Sequence, residues 1–352
     1  MPPYLYKVQE ELGEDWNKTT LYGVFENLLD EIKDDERFRP DLVVYIGGHI
    51  VSKKLKSYLR SLKGVEQIRI SQEADIEDTF MHLTKVMDLP NSDAMSWLDN
   101  FGWHNQWEDY RKLWMDALAK SYERKENFKP EFSSLATVKE FFSQLQKVEP
   151  QDFKAFTLGG KDAQDDGIYD RKFDTFLPGL MSSVISGNSS AIRLMNLYAD
   201  RHVYCNRGVN GIEGSLSTAV GFSMCKNKSD KHVYCVLGDL SFFYDQNALW
   251  NRNLNGKLRI IVLNNGGGAI FGKFQGLKES QAREEMIMAK HHATAEGICS
   301  QNDVKYFAAH TMEEMEQGIS QLIHAESERP MLLEVFTDMD VDNEMLEAIQ
   351  KC

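Results

Sequence analysis

VYCVLGDLSFFYDQNAL (Val233–Leu249) and LRIIVLNNGGGAIF (Leu258–Phe271) decide the fold. Each opens with a nearly continuous run of β-branched and aliphatic residues and breaks abruptly into glycine, aspartate or asparagine. Apolar on successive positions rather than on alternate ones, such runs are strands covered on both faces. The same theme extends outward. Strand-like SSVIS (Ser182–Ser186), HVYC (His202–Cys205) and MLLEVF (Met331–Phe336) alternate with helical SSAIRLMNLYA (Ser189–Ala199), GSLSTAVGFSMCK (Gly214–Lys226), FYDQNALWNRNLN (Phe243–Asn255) and EEMEQGISQLIHA (Glu313–Ala325). Strands separated by helices predict an α/β fold, a doubly wound parallel sheet, over the C-terminal part of the chain. In such sheets ligands bind beyond the carboxyl ends of the strands.

Two of those ends carry chemistry. Gly238-Asp239-Leu240-Ser241 offers close backbone approach and a hard carboxylate oxygen, and Asn264-Asn265-Gly266-Gly267-Gly268 offers an amide oxygen and glycine carbonyls. Asp239 and Asn265 lie 26 residues apart, the length of one helix plus one strand, so adjacent parallel strands would bring them together. A carboxylate, an amide oxygen and a backbone carbonyl form a hard-oxygen set suited to Mg²⁺. Taken singly, GDLS is an ordinary strand-ending turn and NNGGG an ordinary loop; their spacing makes them specific.

The N-terminal half reads differently. DLVVYIGG (Asp41–Gly48), the periodic helix SKKLKSYLRSL (Ser52–Leu62) and EQIRIS (Glu66–Ser71) make one βαβ unit, and GGH is not a dinucleotide fingerprint. From Met95 to Gln146 the chain is helical and aromatic. Trp103, Trp107, Tyr110 and Trp114 recur at spacings of four, three and four, which predicts one helix face packed on a core rather than a ring-stacking surface. Leu135–Lys147 reads as a helix capped by Ser133 or Ser134. The polar, acidic stretch Glu149–Asp174 reads as a long, mobile surface insertion. Two domains result: 1–130, a partial central domain with a helical linker, and 131–352, the domain of the doubly wound sheet, with 149–174 inserted in it.

With 352 residues and a formal net charge of -14, the chain is a poor candidate for binding a phosphate backbone. No run approaches a membrane span, and the N-terminus shows no secretory signal. Five cysteines, Cys205, Cys225, Cys235, Cys299 and Cys352, have neither CxxC nor zinc spacing. Cys205 and Cys235 read as reduced core residues, and the expected compartment is the cytoplasm.

GD followed by NN at this spacing resembles the thiamine-diphosphate-dependent enzymes. GDLSFFYDQNAL, GNSSAIRL (Gly187–Leu194), CNRGVNGIEGSLSTAVG (Cys205–Gly221) and NNGGGAIF (Asn264–Phe271) resemble the menaquinone-pathway synthases within them. The resemblance is strong over Gly187–Phe271 and thinner elsewhere. It implies a transferase that decarboxylates 2-oxoglutarate and adds the succinyl unit to isochorismate, with thiamine diphosphate (thiamine pyrophosphate) and Mg²⁺ or Mn²⁺. It implies metal ligation by Asp239, Asn265 and the Gly267 carbonyl, and a diphosphate held at Gly238, Leu240 and Ser241. Ile212 would be the apolar wedge that bends the cofactor. Ile270 and Phe271 would line the reacting centre, and Ser189, Arg193 and Arg207 would meet substrate carboxylates, a task that suits the planar guanidinium. Read without the resemblance, Arg193 is an ordinary surface residue of its helix, whereas Arg207, directly after a strand, is a site candidate by position.

The family further implies a pyrimidine-binding domain whose glutamate activates the cofactor, and a homodimer or higher homo-oligomer. No segment here matches that domain, so no catalytic residue is assigned on this chain, which is expected to be inactive alone. Two rival readings stand beside this one. A different 2-oxoacid decarboxylase or synthase using the same cofactor would carry apolar residues at 193 and 207. A non-catalytic interaction module of the same fold would have lost the Asp239/Asn265 pair.

Overall fold

The computed structural model describes residues 24–46, 50, 52–72, 76–90, 93–94, 96–97, 108–149, 181–208, 211–227, 231–273 and 280–351. The chain divides into two compact units, the first reaching Asn127 and the second beginning at Phe128.

In the first unit, α1 (Val24–Ile32), β1 (Leu42–Ile46), α2 (Lys53–Ser61), β2 (Glu66–Ser71), β3 (Lys85–Asp88) and α3 (Glu108–Asn127) follow one another. The strands form a parallel sheet in the order β1-β2-β3. Ser52 caps α2 by accepting the Leu55 N–H at 2.9 Å, as a serine before a periodic stretch should. Strand β3 was not anticipated, because four residues with two exposed ends carry almost no apolar pattern. Trp114 packs edge-on against Phe38 at 5.3 Å, and the Tyr110 hydroxyl donates to the Phe38 carbonyl at 3.0 Å. These two aromatics therefore serve packing, as their spacing implies; Trp103 and Trp107 lie outside the described residues.

The second unit contains α4 (Ser134–Val148), β4 (Ser183–Ser186), α5 (Ser190–Tyr198), β5 (Val203–Cys205), α6 (Ser215–Met224), β6 (Val233–Gly238), α7 (Asp239–Tyr244), β7 (Leu258–Asn264), α8 (Glu296–Gln301), β8 (Lys305–Ala309), α9 (Met312–His324), β9 (Met331–Phe336) and α10 (Met339–Lys351). Its six strands are all parallel in the order β5-β4-β6-β7-β9-β8. Alternate residues feed opposite cores. Tyr234, Val236, Ile261, Leu263, Leu333 and Val335 meet α4, α5 and α9 on one face. Val233, Cys235, Leu237, Ile260, Val262 and Leu332 meet α6 and Phe242 of α7 on the other. Both faces are covered, so the sheet is doubly wound. Cys235 is fully buried and Cys205 half-buried, and none of the four described cysteines is in a disulfide.

Two differences from the sequence reading stand out. The helix expected over Phe243–Asn255 instead begins at Asp239 without a loop, ends at Tyr244 and continues as a 3-10 turn over Gln246–Trp250. Glu149 is not the start of a surface excursion. It closes α4 and sits in a buried ion cluster, accepting from Arg201 Nη1 at 2.7 Å and from the Ser182 N–H at 3.0 Å. Residues 150–174 lie outside the described residues. No helix among the described residues is long and apolar enough to cross a membrane.

Candidate functional site

Strand pairing sets the site. Gly238 is in register with Leu263, so β6 and β7 end almost together and present Asp239 and Asn265 at neighbouring tips. β4 lies on the other side of β6 and ends at Ser186, bringing Gly187 to the same edge. A Cβ at Gly187 would lie 2.8 Å from Leu237 Cβ, which explains why only glycine fits there. After β7 the backbone turns through left-handed conformations at Gly266 (φ 78°) and Gly267 (φ 149°), where a side chain would be strained.

Asp239 is 3% exposed. Its Oδ1 accepts the Leu240 N–H at 2.6 Å, and its Oδ2 accepts the Gly267 N–H at 2.8 Å. That second bond ties the two motifs together directly. His291 Nε2 lies 3.3 Å from the same Oδ2, and hydrogen bonding to Asp239 raises the histidine pKa above its ordinary value against the opposing effect of burial. Asn265 donates from Nδ2 to Asp342 Oδ2 at 2.7 Å, while its Oδ1 is buried and meets no donor. Burial pushes the Asp342 carboxyl up, and donors from Asn265, Ser134 and Thr337 oppose the shift.

A buried amide oxygen without a donor is costly unless something positive fills the place. The neighbouring strand ends carry further hard oxygens: the Asp239 carboxylate, with lone-pair capacity left after three contacts, and the Gly267 carbonyl, whose partner among the described residues is the Ala269 N–H at 3.1 Å. The residues therefore fit a hard divalent cation. No three His, Cys, Asp or Glu side chains converge as a metal group among the described residues, so any cation here relies on mixed oxygen donors. The Leu240 N–H, expected to face a diphosphate, is instead taken by its neighbour's carboxylate. Ser241 is buried one residue further along α7.

The second cluster is built by Asn188, which the sequence reading passed over. It is 4% exposed; its Oδ1 accepts from Arg207 Nη1 and from the Ser189 N–H at 2.9 Å, and its Nδ2 donates to the Gly211 carbonyl at 2.9 Å. The loop after β4 is thereby stitched to the loop after β5, next to Ile212. Ser189 sits at φ 67°, a left-handed conformation rare for serine, and its side chain makes no capping bond. Arg193 lies in the first turn of α5 and is half-buried, not fully solvent-facing. Ile212 and Ile270 are half-buried, and Phe271 is 40% exposed.

Three supporting residues had no sequence signal. Glu334, fully buried in β9, accepts from Asn264 Nδ2 at 2.7 Å, from the Ala295 N–H at 2.9 Å and from the Tyr306 hydroxyl at 2.8 Å. Asn264 Oδ1 in turn accepts the Gly266 N–H at 3.1 Å, which shapes the turn. His291 and Asp342 come from distant segments without a motif. Only the excess of polar residues within apolar stretches, as in LLEVF, could have pointed to Glu334.

Comparison with known proteins agrees with this geometry. Residues 186–335 match the family described as "Thiamine pyrophosphate enzyme, C-terminal TPP binding domain". The chain is 33% identical over 322 residues to the 2-succinyl-5-enolpyruvyl-6-hydroxy-3-cyclohexene-1-carboxylate synthase of Phocaeicola vulgatus, covering 88% of this chain and 49% of that protein. It is 31% identical over 354 residues to the synthase of the same name from Bacteroides thetaiotaomicron, covering 97% and 56% respectively. It is 33% identical over 351 residues to that of Christiangramia forsetii, covering 96% and 54%. The chain thus spans about half the length of the curated relatives it matches.

Proposed function

Residues 186–335 belong to the thiamine pyrophosphate enzymes as their C-terminal TPP binding domain, and from that premise we propose that the chain holds the diphosphate and metal end of the cofactor in a menaquinone-pathway synthase. The observation that carries this reading is the buried, donor-free Oδ1 of Asn265 at the strand end beside Asp239. Asp239, Asn265 and the Gly267 carbonyl hold Mg²⁺ or Mn²⁺. Ser241, with backbone at Gly238 and at Leu240 once its bond to Asp239 exchanges, holds the diphosphate. Ile212 supports the bent cofactor, and Ile270 and Phe271 face the reacting centre. Bound thiamine diphosphate supplies the electron sink that decarboxylation of a 2-oxoacid needs.

The whole enzyme decarboxylates 2-oxoglutarate and adds the succinyl unit to isochorismate. Ser189, Arg193 and Arg207 orient the substrate carboxylates, and Asn188 holds Arg207 at the sheet edge for that purpose. The first unit is a partial central domain. Free thiols at Cys205, Cys225, Cys235 and Cys299 suit a reducing, cytoplasmic setting. Tyr244 at the end of α7 and Trp250 at the end of the 3-10 turn that follows, 66% and 78% exposed, suit burial by another subunit of a homo-oligomer. We infer that the 352 residues alone do not turn over, because no segment of the sequence resembles the family's pyrimidine-binding domain with its activating glutamate, and general acid–base catalysis is typically worth about 10²–10⁴ in rate.

The test is calorimetric titration of the purified chain with thiamine diphosphate, with and without Mg²⁺, beside Asp239→Ala. Binding that needs Mg²⁺ and vanishes in the variant is expected. Equal binding by both chains sinks the cation assignment. Turnover of 2-oxoglutarate with isochorismate near that of a full-length synthase sinks the claim that this chain is inactive alone.

A further inference from the structure

A side-chain amide can present either its oxygen or its nitrogen to a site by turning over about its last torsion, with almost no change in shape. For Asn265 the choice decides everything, since only the oxygen can ligate a cation. Nothing within the Asn264–Gly268 loop fixes that choice. The restraint comes instead from α10, 77 residues downstream.

Asp342 in the first turns of α10 accepts the Asn265 Nδ2 on its Oδ2 at 2.7 Å. A carboxylate only accepts, so it selects the NH₂ group of Asn265 and turns Oδ1 the other way. Asp342 is itself fixed. Its Oδ1 accepts the Ser134 N–H at 2.7 Å, and its Oδ2 accepts the Ser134 hydroxyl at 2.7 Å and the Thr337 hydroxyl at 3.1 Å. The adjacent Asn343 donates from Nδ2 to the Ala269 carbonyl at 3.2 Å, so one turn of α10 grips the loop at two points.

We propose that Asp342 is a positioning residue that fixes the Asn265 amide with its oxygen toward the cation. The proposal rests on the reading of Asp239 and Asn265 as cation ligands. Its chemistry makes a directional prediction. In Asp342→Asn the Ser134 N–H, an obligate donor, retains the amide oxygen introduced at position 342. The new NH₂ group then faces Asn265 and draws Oδ1 round toward itself, leaving nitrogen toward the cation. Exchanging the two side chains, Asn265→Asp with Asp342→Asn, restores the polarity: the NH₂ at 342 donates to one carboxylate oxygen at 265, and the other faces the cation.

The experiment measures Mn²⁺ affinity of the 352-residue chain in the presence of thiamine diphosphate, by electron paramagnetic resonance of the free ion, with thermal midpoints recorded alongside. Asp342→Asn should weaken Mn²⁺ by about 10–100-fold, as loss of a partner that orients a metal ligand does, and the exchanged pair should recover most of that loss. An Asp342→Asn chain that melts earlier but binds Mn²⁺ as wild type does, or an exchanged pair no better than the single variant, overturns the proposal. Asp239→Asn separates the two layers. If it binds Mn²⁺ as wild type does, or wild type binds none, the cation reading itself falls and takes this proposal with it. If Asp239→Asn loses binding while Asp342→Asn retains it, only the role of Asp342 falls. Should Asp342→Asn not fold, the wild-type chain still answers: the Asn265 side-chain NH₂ protons must be hydrogen-bonded and slow to exchange by ¹⁵N-resolved NMR without metal, and fast exchange overturns the proposal.

Discussion

The two units are both built on parallel strands with helices between them, yet they handle charge differently. In the first unit β1 is half-buried along its whole length, and Arg69 on β2 pairs with a Glu77 whose side chain is 47% exposed. In the second, β6, β7 and β9 are buried almost end to end, and Arg201 pairs with Glu149 and Asp200, each side chain no more than 8% exposed. A pair with one partner at the surface can leave that charge to water, whereas a pair with both partners enclosed must be satisfied internally. The same pressure that makes Arg201 obligatory also makes the bare Asn265 oxygen meaningful. In a wet loop it would signify nothing.

The largest test of this contrast is Arg201→Ala. It leaves two carboxylates enclosed without a cation, and breaking such a pair costs about 3–5 kcal/mol. Urea denaturation followed by circular dichroism should show the midpoint falling accordingly. A loss under about 1 kcal/mol, the range of surface pairs, would mean water reaches the cluster and the contrast between the units is wrong.

Gly187→Ala probes the crowding that brings β4 against β6. The new methyl would lie 2.8 Å from Leu237 Cβ and 3.0 Å from its Cα, so backbone has to move, and overpacking of this kind costs about 1–3 kcal/mol. Because the same shift displaces Asn188 and Gly238, Mg²⁺-dependent binding of thiamine diphosphate should weaken as well. Unchanged stability together with unchanged binding would show that the strand ends are slack.

A smaller effect depends on pH. Burial, then the charges of Arg259 and two lysines, lowers the His232 pKa from 6.5 to about 4. Arg259 Nη2 donates to His232 Nε2 at 3.2 Å, which needs the neutral ring. Between those two pH values the unfolded chain binds more protons than the folded one. The stabilisation is therefore complete above pH 6.5 and is lost as pH falls toward 4. Since the ring is partly exposed, the loss should be about 1–2 kcal/mol. His232→Gln should flatten that part of the stability profile; a variant with the same slope as wild type would assign the acid sensitivity elsewhere.

The contrast also governs what could be read in advance. Doubly covered strands are legible because nearly every residue in them is apolar, and their glycine and asparagine tips then stand out; Asp239, Asn265, Gly267 and Arg207 are candidates read in this way. The polar groups that support those tips were not legible. Glu334 lies within an apolar run and looks like an interruption of it, while His291 and Asp342 reach the site from segments with no local pattern. Asn188 was hidden in the short polar stretch Ser186-Gly187-Asn188-Ser189-Ser190. Sequence periodicity reports which side of an element is buried; it does not report which buried polar atom meets which. Glu149 shows the same limit, since an acidic run suggests solvent and the packing of Arg201 against α4 decides otherwise. In the first unit even a strand, β3, escaped notice, since its four residues carry almost no burial pattern.

The smallest expected effect completes the contrast from the other side. Glu77→Gln removes the charge facing Arg69 Nη1 at 2.9 Å in a setting where Glu77 remains in contact with water. Arg69 does not depend on that carboxylate alone, because its guanidinium lies over the Tyr45 ring at 5.4 Å from the centroid. A cation–π contact of this sort contributes about 0.5–1 kcal/mol, comparable to what an exposed ion pair provides. The glutamine amide can still accept from Arg69, so what is lost is Coulomb energy already attenuated by solvent and salt. The denaturation midpoint of Glu77→Gln should stay within about 0.5 kcal/mol of wild type, and the residual difference should shrink further in 1 M salt. Arg69 is as little exposed as Arg201, at 8% each, so the difference lies in the partner carboxylate. A loss as large as that of Arg201→Ala, unaffected by salt, would show that Arg69 depends on Glu77 as fully as Arg201 depends on Glu149 and Asp200.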